Sequence, residues 1–64
     1  MTRSPQGEAN LNAAADHYNT LDEVAARSFL RKIVLSAQHP DLVPFLEGFA
    51  EDIKARAMIR RTLN

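Results

Sequence analysis

One stretch, residues 41–63, constrains this chain more than any other. Leu42, Phe45, Leu46, Phe49, Ala50, Ile53 and Ala57 recur at i, i+3, i+4 and i+7, the period of one α-helix face. Glu47, Glu51, Lys54, Ala55 and Met58 fall on the other side. A lone helix cannot bury such a stripe against itself, so a second element must cover it. Leu42, Phe45, Leu46, Phe49 and Ile53 are therefore the expected core.

The covering element is limited by length. A chain of 64 residues holds one small domain, and domains of this size are only marginally stable as monomers. Nature strengthens them with disulfides, a metal or oligomerisation. Cysteine is absent, which removes the first. His17 and His39 stand far apart without ligand-type spacing, so no metal and no cofactor is expected. That leaves assembly with a second copy or with a larger partner.

A second helix is expected over about 21–37. Thr20 followed by Glu23 has the spacing of a capping box, in which each side chain satisfies the other residue's backbone N–H. Leu21, Val24, Ala25, Ser28 and Leu35 form one stripe of this helix; Ala26, Leu30, Ile33, Val34 and Ala37 form another, with Phe29 between them. Its polar wedge is narrow. A helix apolar over more than half its girth is covered by more than one neighbour, so Phe29, Leu30, Ile33 and Val34 are the candidate protein interface. Gln38-His39-Pro40-Asp41 breaks the pattern; Pro40 disfavours a helical exit and Asp41 is a good N-cap. The next helix is expected over about 42–62, with Pro44 in its first turn, where a missing N–H costs little. A connector this short folds the two helices back as an antiparallel hairpin. Gly48 reads as a weak point in the second of them, costing about 1 kcal/mol relative to Ala.

The N-terminal third says less. Residues 1–7 are polar, contain Pro5 and Gly7, and are expected to be a disordered tail; 8–64 form the single helical domain. Leu11, Ala14, Ala15 and Tyr18 stand at helical spacing, but three Asn weaken the pattern, and 8–18 is left open between a short helix and coil.

Charge is balanced, with eight basic and eight acidic residues, whereas a small dedicated nucleic-acid binder normally carries a positive excess. The basic residues that do cluster, Arg56, Arg60 and Arg61, suit the negative end of the helix dipole and form a candidate charged rim to the interface. No apolar run reaches the length of a membrane span, and 1–10 lacks the basic-then-apolar order of a signal peptide. The expectation is a cytoplasmic protein with no membrane partner.

Chemistry finds little support. Neither histidine has a Ser or carboxylate placed as a catalytic partner; Glu47 and Glu51 lack the Glu-x-x-His companion of a di-iron site. The only glycines are Gly7 and Gly48, so no phosphate-cradling loop exists. An enzyme is not expected.

In outline, with Phe45, Leu46, Phe49, Ile53, Arg56 and Leu63 on the last helix, the chain is similar to several kinds of very short helical-hairpin regulators. They are plasmid copy-number proteins that dimerise into four-helix bundles, a sporulation inhibitor of histidine kinases, and phycobilisome-degradation adaptors. No family-specific motif is present, so no family and no residue role is transferred. What the resemblance implies is a niche: a helical pair with spare apolar surface that acts by occupying another protein. The expected architecture is thus an all-α hairpin dimerising into a four-helix bundle. The expected function is that of a non-enzymatic regulator, adaptor or inhibitor binding a partner protein. A small nucleic-acid-binding regulator and a structural subunit of a larger complex are the alternatives.

Overall fold

The computed structural model describes residues 4–63. They form three helices, α1 (Pro5–Asn19), α2 (Glu23–Leu35) and α3 (Val43–Leu63), with a short 3-10 turn, Pro40–Leu42, leading into the last. The chain is all-α, and the three helices pack together.

Helix α1 corrects the reading of the N-terminus. Ser4 caps it, its Oγ accepting from the Gly7 N–H at 3.1 Å, and Pro5 occupies the first turn. A serine cap followed by proline is a strong local start, because the cap satisfies an orphan donor and proline has none to lose. Residues 4–7 are therefore cap and first turn, not tail; the rest of the expected tail, 1–3, lies outside the described residues. Thr20 closes α1: its hydroxyl donates to the His17 carbonyl at 2.7 Å. The capping box expected from Thr20 and Glu23 consequently does not form. Asp22 caps α2 instead, accepting from the Ala25 N–H at 2.8 Å, and α2 runs 23–35 rather than 21–37. It ends at Ser36, whose hydroxyl donates to the Ile33 carbonyl at 2.6 Å.

His39 is extended, φ −136° and ψ 145°, as the ring of the following proline demands. Leu42 N–H then closes the 3-10 turn on the His39 carbonyl at 3.0 Å. Asp41 lies inside this turn instead of capping α3.

Helix α3 is the common neighbour: α1 and α2 both lie along it and touch each other little. The molecule is flat, 37 × 31 × 14 Å, so it has much edge and little interior. Leu11 and Ala15 from α1, Ala26 from α2, and Ala50, Ile53 and Ala57 from α3 are buried; Ile53 is the largest side chain wholly enclosed. Two members of the expected core are not in it. Leu42 is 43% exposed and Phe45 is 66% exposed, while Leu46 and Phe49 are half-buried. Leu42 belongs to the 3-10 turn, whose tighter winding puts it out of phase with the α3 stripe. Phe45 sits on the flank of that stripe, beyond the width that α1 and α2 cover.

Candidate protein-interaction surface

The two sides of α3 differ in how they are closed. On the α1 side, Leu11 and Ala15 of α1 and Ile53 and Ala57 of α3 are buried, and a row of polar side chains locks the seam. Arg56 Nη1 donates to Glu8 Oε2 at 2.9 Å and to Asn12 Oδ1 at 2.7 Å. Arg60 makes a bidentate pair with Asp16, its Nη2 donating to Oδ2 at 2.8 Å. Arg61 Nη2 donates to Asn19 Oδ1 at 2.9 Å, and Asn19 Nδ2 donates to the Ala57 carbonyl at 3.0 Å. The Arg60 guanidinium, chiefly through this hydrogen bond, holds the Asp16 carboxyl below its ordinary value against the opposing effect of desolvation. The same hydrogen bond raises Arg60.

Arg56, Arg60 and Arg61, expected as the rim of a surface for another molecule, are thus engaged with α1 of their own chain. Sequence reasoning missed their partners. The signal was there: Glu8, Asn12, Asp16 and Asn19 follow one another at helical spacing on one face of α1, so two of the three asparagines that weakened the case for a helix, Asn12 and Asn19, are part of its docking surface.

On the α2 side the seam is open. Phe29, Leu30, Ile33 and Val34 are all only half-buried. Phe29 meets the edge of the His17 ring, centroids 4.9 Å apart, which leaves His17 with a packing role at the α1–α2 junction. Between α2 and α3 runs a groove of about 510 Å³. Leu30, Arg31 and Val34 form its α2 wall; Glu47, Gly48, Ala50 and Glu51 form its α3 wall. No α2 side chain hydrogen-bonds α3 among the described residues. A side chain built at Gly48 would meet nothing within 4 Å.

Further apolar surface lies outside the groove, with Val24, Leu35, Phe45, Met58, Ile59 and Leu63 more than half exposed. The total is informative. A compact monomer of 7.2 kDa exposes about 4,100 Å², yet this chain exposes 4996 Å². The excess goes with the flat shape, only 14 Å thick.

Against family models, curated proteins and solved structures, the chain has no significant match. The case for a function therefore stands on this surface. Among the described residues, no group of three or more His, Cys, Asp or Glu could hold a metal, and no helix is long and apolar enough to cross a membrane.

Proposed function

We propose that this chain is a non-enzymatic regulator, adaptor or inhibitor that works by helix-on-helix contact in the cytoplasm, and that it does so as a homodimer. In this reading α2 and α3 act as an antiparallel hairpin and join a second hairpin in a four-helix bundle, the usual way for such stripes to be covered. α1 is a third helix that closes a different side of α3. The observation that carries the reading is apolar surface left uncovered: Leu30, Ile33 and Val34 half-buried at the α2 seam, and Phe45, Ile59 and Leu63 exposed on α3. Exposed apolar surface beyond what a monomer needs marks an interaction site.

The nucleic-acid alternative loses ground, since phosphates would have to displace Glu8 and Asp16 from Arg56 and Arg60. Sedimentation equilibrium tests the proposal. A species of twice 7.2 kDa that persists into high salt is expected, because an apolar interface is not screened. A folded, strictly monomeric chain that also captures no helical partner would overturn it.

A further inference from the structure

The α2–α3 groove has a charge pattern that identifies what fills it. Arg31 stands on the α2 wall, and Glu47 and Glu51 stand on the α3 wall. At the α1–α3 contact the charges are paired, Arg56 with Glu8 and Arg60 with Asp16. Arg31, Glu47 and Glu51 make no ion pair or side-chain hydrogen bond among the described residues. A groove with one basic and one acidic wall is self-complementary about a two-fold axis that runs along it: a second copy turned half-way about that axis sets its basic wall opposite the first copy's acidic wall, twice over.

We propose that this groove is the homodimer interface, each copy's Leu30 and Val34 packing on the other while Arg31 of each reaches Glu47 and Glu51 of the other. The inference rests on the homodimer reading above and adds which surface is used and how it is recognised. A foreign helix would need only one sign of charge beside the apolar strip; opposite signs on the two walls suit a second copy of the same walls. Gly48 agrees with this. The absent side chain leaves the α3 wall low where nothing from its own chain fills the space.

Charge exchange tests the pairing. Arg31→Glu and the double change Glu47→Arg with Glu51→Arg each place like charges across the two-fold axis, twice per dimer. Each is expected to raise the dissociation constant by roughly tenfold or more in sedimentation equilibrium, with helicity by circular dichroism unchanged. Mixed in equal amounts, the two variants are expected to regain a dimer, since the heterodimer restores every opposite-charge pair. Gly48→Trp, which fills the groove without touching its walls' charges, is expected to abolish dimerisation in a chain that stays helical. If Arg31→Glu dimerises as tightly as the parent, or if the helical variants stay monomeric when mixed, the groove is not the interface and the homodimer reading survives elsewhere on the molecule. If the parent chain itself is monomeric, both go.

Discussion

The two seams that α3 makes with its neighbours end in opposite states. The α1 seam encloses Leu11, Ala15, Ile53 and Ala57 and is bordered by Glu8, Asn12, Asp16 and Asn19 meeting three arginines. Among the described residues, the α2 seam buries Ala26 and Ala50, leaves Leu30, Ile33 and Val34 half in water, and has no hydrogen bond from an α2 side chain across it. What separates them is the fit between apolar width and cover. α1 offers a narrow stripe of small residues with polar groups at its margins, so closure satisfies every group at once. α2 offers a wide stripe of bulky residues that a single helix cannot cover. A seam of the first kind holds a protomer together; one of the second kind is unfinished until another chain arrives.

The largest expected effect breaks this contrast if it is wrong. Ile53→Ala removes the one large side chain that is wholly enclosed, and truncations of that kind cost about 3 kcal/mol. For 64 residues, total stability is about 3–10 kcal/mol, so the variant is expected to lose between about a third and all of it. Val34→Ala, in the open seam, is expected to cost about 1 kcal/mol in the protomer. Urea unfolding followed by circular dichroism, at concentrations low enough to keep the chain monomeric, compares them. Equal losses for the two variants would erase the distinction between seams.

Next comes the polar lock. Arg56→Ala deletes two hydrogen bonds from a partly buried guanidinium, those to Glu8 and Asn12, and is expected to cost about 1 kcal/mol. The loss is expected to appear as faster amide exchange along α1 while α2 exchanges as before. Uniform acceleration over all three helices would mean that α1 is integral to one cooperative unit rather than a separately docked element.

That lock is also where sequence reasoning stops. The all-α class, and Ile53, Ala50 and Ala57 on one face, follow from periodicity alone, because the 3.6-residue repeat is a local property. Which stripe closes on which is not local. Glu8, Asn12 and Asp16 share a face whether or not arginines await them, and nothing near residue 8 announces residue 56. Ser4 and Pro5 did carry a start signal, but it was outweighed by the polar composition around them. Phe45 failed for another reason: periodicity says which residues share a face, not how wide a neighbour lies over that face. Arg31, Glu47 and Glu51 look like ordinary solvated charges until the fold puts them on facing walls.

Acid should loosen one seam first. Asp16 is held below the ordinary carboxylate range by Arg60, so its ionised form is favoured in the folded chain. The stabilisation is complete above the unfolded carboxylate's value, near 3.9, and is lost as pH falls through the lower folded value. Asp16 and Arg60 are part-exposed, so the effect is expected to be smaller than that of Arg56→Ala. The protection of the α1 amides, corrected for the intrinsic pH dependence of exchange and measured down to pH 3, is expected to fall in the parent and to show a shallower dependence in Asp16→Asn. A parallel dependence in both would assign the acid sensitivity to other carboxylates.

Gly48 sharpens the comparison from the open side. In mid-helix it costs about 1 kcal/mol relative to alanine, a cost that the closed seam nowhere carries, since its small residues are alanines. The position has room, with nothing within 4 Å of where a Cβ would stand, so Gly48→Ala should stabilise the isolated protomer by about 0.5–1 kcal/mol. Thermal melts at low concentration are expected to show a higher midpoint. At high concentration, where the dimer governs the midpoint, the gain should shrink if the second copy's helix comes close to the α3 backbone at Gly48. An equal gain at both concentrations would place that helix further out, over Leu30 and Val34, and leave Gly48 as a weak point without a tenant.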